Sequence, residues 1–259
     1  MTRARLEKRR ILVVGASAGI GRATSLALAR EGARVALASR RRELLNETVT
    51  LAGPACQGFE CDVRDPSACE HLVNQASEAL GGLDAVVYAP GITLLAKIEE
   101  SDSDLWRTTF ETNLFGAALI TRAALPHLVR SRGKVVFFSS ISIDDRPPRA
   151  GMAAYVASKV ALESMALAWQ GEHPTVSFTT LAIGDTLTEK VETTPPEAVA
   201  EWVPRWIAAG LMPGRLMLAE SVADQVTNIL ASPEHVRRLA ITPVAPEIPG
   251  VMEIPGVGE

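Results

Sequence analysis

The stretch Ile11-Leu12-Val13-Val14-Gly15-Ala16-Ser17-Ala18-Gly19-Ile20-Gly21 decides the fold. A short apolar run passes directly into glycines spaced G-x-x-x-G-x-G, and an amphipathic stretch, Ile20–Arg30, follows. A buried strand, a tight turn and a helix in that order open a βαβ unit. Glycines at the carboxyl end of the strand allow the turn and let a ligand approach the backbone closely. The helix N-terminus behind them directs unpaired N–H groups and a positive dipole at that ligand. The chemistry that fits is a pyrophosphate, with Gly15, Ser17, Gly19, Ile20 and Gly21 as the binding residues. An ordinary strand–helix turn can carry the same glycines, so the surrounding sequence has to decide.

Outward from the turn the pattern repeats. Apolar, β-rich runs predict strands at Ile11–Val14, Arg34–Ala38, Gly58–Cys61, Ala85–Tyr88, Lys134–Ser139, Val176–Ile183 and Leu239–Val244. Amphipathic stretches between them predict helices at Ile20–Arg30, Glu43–Leu51, Pro66–Leu80, Leu105–Leu128, Ala153–Trp169 and Ser221–Leu230. Asp65 before Pro66, and the run Ser101–Asp104, supply helix-start signals. The strands are hydrophobic almost throughout, which suits burial on both faces. The expected fold class is therefore α/β: a single-domain, Rossmann-like, doubly wound parallel sheet of about seven strands over residues 1–259, with helices on both faces. Residues 1–10 read as a basic, solvated arm and residues 243–259 as an irregular tail. Residues 185–218 read as a substrate lid around the segment Glu197–Ala209, where Trp202 and Trp206 either line an apolar pocket or pack the lid onto the body.

Composition narrows the function. Hydrophobic residues make up 47% of the 259 and charged residues 22%, an ordinary globular balance. A net charge of -4 gives no overall basic field, which argues against nucleic acid as a partner. Cys56, Cys61 and Cys69 show neither an even count nor a C-x-x-C spacing, so no disulfide framework or zinc site is expected, and a reduced cytoplasmic compartment fits. His71, His127, His173 and His235 are scattered without metal-ligand spacing. The apolar run after the basic start is too short for a signal-peptide core or a membrane span.

Cofactor choice is written at the end of the second strand, Ser39-Arg40-Arg41-Arg42. An acidic residue there would bind the 2′-hydroxyl of an adenine ribose and repel a 2′-phosphate. Ser39 with Arg40 and Arg41 instead offers a hydroxyl and guanidinium forks that match a phosphate, which favours NADP(H) over NAD(H). Three arginines at a helix start can also serve only solvation. After the third strand, Asp62 can accept from the adenine amino group and the Val63 N–H can reach a ring nitrogen; alternatively Asp62 caps the helix at Pro66. Gly91 lets the backbone pass close to the adenosine ribose.

The catalytic chemistry is carried by Tyr155-Val156-Ala157-Ser158-Lys159. Residues four apart share a helical face. A phenol titrating near 10 transfers protons poorly at neutral pH, and a neighbouring ammonium is the natural correction. A hydroxyl ending the fifth strand can stabilise charge developing on a substrate oxygen. Ser140 occupies that place by position along the strand, whereas counting back from Tyr155 reaches Ser142. The strand is the more rigid reference, so Ser140 is preferred. The cluster Asp144-Asp145-Arg146 sits in the same loop, either facing a polar substrate or merely solvated.

With these motifs in order, the chain from Ile11 to about Leu230 resembles the short-chain dehydrogenase/reductase family. The resemblance implies a seven-stranded parallel sheet, a small-molecule carbonyl or alcohol substrate, and commonly a homodimer or homotetramer. It implies roles for four residues: Tyr155 as general acid/base, Lys159 lowering its pKa and binding the nicotinamide ribose, Ser140 polarising the carbonyl, and Asn113 holding a water that relays the proton. Four departures stand out. Val14 replaces the usual threonine before the turn. Tyr88-Ala89-Pro90-Gly91 replaces Asn-Asn-Ala-Gly, so the asparagine bonds that brace the sheet must be replaced or absent. Ile183-Gly184 replaces Pro-Gly, leaving Gly184 to flank the nicotinamide and Thr186 or Thr188 to contact its carboxamide. Thr242–Glu247 replaces the glycine-rich ending found at tetramer interfaces. An epimerase or dehydratase on the longer related scaffold fits less well, since such proteins carry G-x-x-G-x-x-G. A cofactor-binding regulatory or scaffold protein without turnover is the alternative function.

Overall fold

The computed structural model describes residues 4–188 and 196–244. Seven parallel strands form one sheet: β1 (Arg10–Val14), β2 (Arg34–Ser39), β3 (Cys56–Glu60), β4 (Ala85–Tyr88), β5 (Lys134–Ser140), β6 (Ser177–Ile183) and, after two short strands described below, β9 (Arg238–Ile241). Their order is β3-β2-β1-β4-β5-β6-β9. The chain winds outward in one direction from β1 to β3 and in the other from β4 to β9. The reversal between β1 and β4 opens a crevice at the carboxyl ends of the strands, where ligands bind in such sheets.

Alternation along β1 shows how both faces are filled. Leu12 and Val14 face a core with Leu72 of α3 (Pro66–Leu80), Ile120 of α5 (Gly116–Ser131) and Leu162 of α6 (Ala153–Glu172). Ile11 and Val13 face a second core with Leu28 of α1 (Gly19–Arg30), Leu45 of α2 (Arg42–Ala52) and Val226 of α8 (Ala219–Ala231). Each such fully buried aliphatic side chain contributes about 1.5–3 kcal/mol. This is the doubly wound α/β fold expected.

The sequence pattern missed three local features. The stretch read as one helix, Leu105–Leu128, begins earlier, at the cap Asp102, and has an interruption: α4 (Ser103–Phe110) passes through a π-turn, Glu111–Phe115, into α5. A widened turn keeps the apolar period nearly intact, so periodicity could not reveal it. The described part of the N-terminal arm is anchored rather than solvated. Leu6 is buried in the second core, Arg5 binds Glu31 and Asn228, and Arg10 enters β1 and pairs with Asp84. The stretch read as a lid contains regular structure: β7 (Thr186–Leu187) pairs with β8 (Met217–Leu218), and α7 (Pro196–Ala208) lies between them in sequence. Residues 189–195 of the lid and 245–259 of the tail fall outside the described residues. The last strand ends at Ile241 rather than Val244, consistent with Pro243 lacking an N–H for the ladder.

Candidate active site

The crevice between β1 and β4 holds a cleft of about 460 Å3. Gly15, Ser17, Gly19, Ile20 and Gly21 line one wall, Ser39, Arg40, Arg41, Asp62 and Val63 the far end, and Gly91 and Thr188 the near end. The glycines are required by contact. A Cβ on Gly21 would lie 2.1 Å from the Gly15 carbonyl oxygen, and one on Gly15 2.9 Å from the Pro90 nitrogen. Gly15 and Gly19 have φ of +83° and +52°. Ala18 gives α1 no side-chain cap, so its first N–H groups are left for a ligand.

A hydroxyl network joins this turn to the tip of β2. Ser39 Oγ donates to Ser17 Oγ at 2.7 Å, and the Arg41 guanidinium donates to Ser17 Oγ from Nη2 at 3.0 Å. Arg40 is more exposed and stands 3.9 Å from Asp62. Asp62 does not cap α3; Asp65 does, accepting from the Ser67 and Ala68 N–H groups. Asp62 instead accepts from Arg64, and this bond holds its carboxyl below the usual carboxylate range.

A second cleft of about 310 Å3 contains Tyr155, Lys159, Ser140, Gly184, Thr186 and Thr188, together with Thr93, Arg149 and Asp185. The two clefts share Ile20, Ala89, Gly91, Phe138 and Thr188 in their walls. Thr188 lies over the glycine turn, where a Cβ on Gly19 would come within 3.3 Å of it. Thr186 donates to the Gly184 carbonyl, and Gly184 is pressed against the end of β9, where a Cβ would lie 2.9 Å from the Pro243 ring.

The two serines have separate places. Ser140 lines the second cleft, whereas Ser142 is buried behind it in a 3-10 turn, its Oγ 2.9 Å from Ser140 Oγ and its N–H donating to the same oxygen at 3.2 Å. Burial raises the Tyr155 phenol above its ordinary value. Hydrogen bonds with Ser140 and Thr93 and the charge of Arg149 oppose that rise, and the charge of Asp185 adds to it. Lys159 Nζ lies 5.7 Å from the centre of the Tyr155 ring and donates to the Phe138 carbonyl at 2.8 Å. Burial pushes its ammonium down to about 8. Lys159 and Tyr155 are thus brought together on one face of α6, and the charge of Arg149 also acts on the phenol.

Asn113 is fully buried. Its amide donates to the Ile92 carbonyl and to Ser158 Oγ, both at 3.0 Å, and its carbonyl accepts from the Ile92 N–H at 2.8 Å. The side chain is a buried brace on the segment after β4. Tyr88 supplies the other brace. Its hydroxyl donates to the Thr112 carbonyl in the π-turn at 2.6 Å, in space that Gly116 leaves open, since a Cβ there would be 2.4 Å from the hydroxyl. The bracing lost with the asparagines is therefore replaced from the same strand end.

A family model described as short chain dehydrogenase matches residues 9–198. The chain belongs to this family. Among the relatives of this short-chain dehydrogenase, the glycine betaine reductase ATRR of Emericella nidulans is 33% identical over 233 residues, covering 87% of this chain and 18% of that protein. The 11-beta-hydroxysteroid dehydrogenase 1A of Arabidopsis thaliana is 37% identical over 160 residues, covering 60% and 45%. The chain thus spans less than half the length of these two relatives. An uncharacterized oxidoreductase of Staphylococcus epidermidis is 25% identical and matches nearly end to end, covering 92% and 98%. The solved alcohol dehydrogenase of the archaeon Thermococcus sibiricus, complexed with 5-hydroxy-NADP, superposes with a TM-score of 0.76 at 24% identity, covering 90% and 95%, which shows the shared fold.

Several lining residues of this short-chain dehydrogenase carry no sequence signal. Thr93, Arg149 and Asp185 sit in segments without periodicity or motif, and only tertiary packing brings them to Tyr155. Trp202 and Trp206 settle into a small buried core with Met152 and Met212, which pack the lid onto the body. Of the charged loop cluster, Asp145 pairs with Arg149 and Asp144 with Arg238. Among the described residues, no cluster could hold a metal ion and no helix is long and apolar enough to cross a membrane.

Proposed function

We propose that the protein is an NADP(H)-dependent oxidoreductase that moves a hydride between the nicotinamide and a carbonyl or secondary alcohol, with Tyr155 as general acid/base. One observation carries this reading: the cleft holding Tyr155, Ser140 and Lys159 shares a wall with the glycine-turn cleft. The residues present fit a dinucleotide. The Gly15–Gly21 cradle is a space that a Cβ would fill, and the uncapped α1 N-terminus faces it. Ser17 and the N–H groups of Gly19, Ile20 and Gly21 would hold the pyrophosphate. Ser39, Arg40 and Arg41 would hold a 2′-phosphate, Asp62 and Val63 the adenine, and Gly91, Lys159, Gly184, Thr186 and Thr188 the nicotinamide half.

When bound, the nicotinamide supplies or accepts a hydride at C4. The protein's own part is proton transfer and charge stabilisation. Ser140, oriented by Ser142, donates to the substrate oxygen as negative charge grows there. Tyr155 delivers the proton to that oxygen in reduction and removes it in oxidation, a contribution of roughly 10²–10⁴-fold. A phenol raised by burial is protonated at neutral pH, which suits it to the reducing direction. Asn113 and Tyr88 keep the floor of the site rigid.

The test is NADPH oxidation against a panel of ketones, quinones and keto-esters, with Tyr155→Phe as control. Turnover that the variant abolishes while still binding NADPH is expected; NADPH binding without turnover on any carbonyl would favour the scaffold alternative. For the cofactor, fluorescence titration should show Arg40→Ala losing about tenfold or more in NADPH affinity with little change for NADH, the scale of a charge-assisted hydrogen bond. Equal wild-type affinities for the two cofactors would overturn the NADP(H) preference. The same reading makes the protein a cytoplasmic homodimer or homotetramer. Three free, buried cysteines and the exposed Phe115 beside an apolar groove on α5 and α6 support it.

A further inference from the structure

The loop between β5 and α6 carries a buried arginine that the proton-transfer scheme above does not use. Arg149 Nε donates to Asp145 Oδ2 at 2.7 Å, and Nη1 and Nη2 donate to the two carboxylate oxygens of Asp185 at 2.7 and 3.2 Å. Nη2 also donates to the Leu211 carbonyl at 2.7 Å, and the guanidinium lies 5.8 Å from the centre of the Trp206 ring. Its side chain is 4% exposed. The next two residues are also held by α7. Trp206 Nε1 donates to the Ala150 carbonyl at 3.0 Å, and Gly151, at φ +81°, leaves room for the Trp202 ring, which a Cβ would meet at 2.8 Å. Four residues after Arg149, α6 begins, with Tyr155 in its first turn.

We infer that Arg149 is a positioning residue for the proposed carbonyl chemistry: it fastens α7 and the turn after β6 to the loop entering α6 and supplies a fixed positive charge to the cleft that holds Tyr155. The inference rests on the reading of Tyr155 as the proton donor. Only a guanidinium can make this fork, reaching two carboxylates and a carbonyl in one plane. The groups facing Tyr155 come from every element around it: Ser140 from β5, Thr93 from the segment after β4, Lys159 from α6, Arg149 from the loop and Asp185 from the end of β6. Asp145 completes the cluster from behind Arg149. Arg149 favours the phenolate and Asp185 opposes it, so the pair sets the balance within the cleft that both line. Arg149 lines the catalytic cleft and is absent from the wall of the dinucleotide cleft.

The experiment is the pH profile of kcat/KM for carbonyl reduction in wild type, Arg149→Met, Arg149→Lys and Asp185→Asn, with NADPH affinity measured for each and Tyr155→Phe as the control. Reduction needs the protonated phenol, so the last fall in activity on the alkaline limb, beyond the step near 8 at which Lys159 loses its proton, comes as Tyr155 ionises. Loss of the Arg149 charge should move that limb to higher pH by about one unit. Asp185→Asn should move it to lower pH. Arg149→Lys keeps the charge without the fork, so the limb should stay near the wild-type position while KM rises severalfold. NADPH affinity should change less than about twofold in all three. Should Arg149→Met fail to fold, the displacement to lower pH predicted for Asp185→Asn, against the unmoved limb and raised KM predicted for Arg149→Lys, still decides the matter. Coincident alkaline limbs in wild type and the folded variants, with Tyr155→Phe inactive, would overturn the role of Arg149 alone. Turnover surviving in Tyr155→Phe would overturn the reading beneath it.

Discussion

On the β1–β2 side of the cleft the backbone itself forms the binding surface, whereas on the β5–β6 side the surface is made of side chains from five separate segments. Gly15, Gly19 and Gly21 act by what they lack, leaving N–H groups open and space for a ligand. Ser140, Thr93, Arg149, Tyr155 and Asp185 act by their polar atoms, and each reaches the cleft only because strand ends, a loop and a lid meet there. A backbone-built site is rigid and local, and it fails when a single atom is added. A side-chain-built site is adjustable, and it fails by degrees.

That contrast can be broken at its stiffest point. Gly21→Ala would place a Cβ 2.1 Å from the Gly15 carbonyl oxygen. Forcing the turn apart should cost roughly 1–3 kcal/mol of stability and remove measurable NADPH binding. Urea unfolding with fluorescence titration measures both, and near-wild-type binding would show the turn to be looser than its geometry. The brace shared by the two halves comes next. Tyr88→Phe leaves the Thr112 carbonyl in the π-turn without its donor, at an expected loss of about 1–3 kcal/mol. Because Asn113 lies in the same turn, KM for the carbonyl should rise with it, whereas an unchanged midpoint in urea would deny the brace.

A further effect concerns Lys159 and pH. Its ammonium is pushed down to about 8 in the folded chain, against 10.5 for the unfolded reference. Between those values the unfolded state binds more protons than the folded one, so stability should rise with pH through that window and the burial penalty should be fully felt below it. Lys159→Met removes the titrating group and should flatten this part of the curve in chemical unfolding from pH 7.5 to 10.5. A wild-type stability that falls across the window by the same amount as the variant's would contradict the buried cation.

The two halves also differ in how far the sequence discloses them. The glycine turn, Ser39 with its arginines, and the Tyr155–Lys159 spacing are local patterns, and local patterns are what a sequence displays. The parallel sheet followed from the same logic, since continuous apolar runs between amphipathic stretches leave few other arrangements. Tyr88 could be recognised as a departure but not as a replacement brace, because its partner carbonyl belongs to a π-turn that periodicity does not register. Asn113 was found by its place in the order of motifs, yet its bonding depends on where Ile92 and Ser158 come to rest. Arg149 had no signal at all, for a lone arginine in a loop acquires meaning only from Asp145, Asp185 and Leu211, the last two brought close by folding.

Deuterium transfer tests the central claim most directly. With NADPH carrying deuterium at the transferable C4 position and a carbonyl from the panel, mass spectrometry of the product should show one deuterium on the former carbonyl carbon per NADPH consumed. Tyr155→Phe should bind the same cofactor and transfer almost none. Undiminished transfer by Tyr155→Phe, or tight binding by the wild type with no label reaching any substrate carbon, would contradict the account.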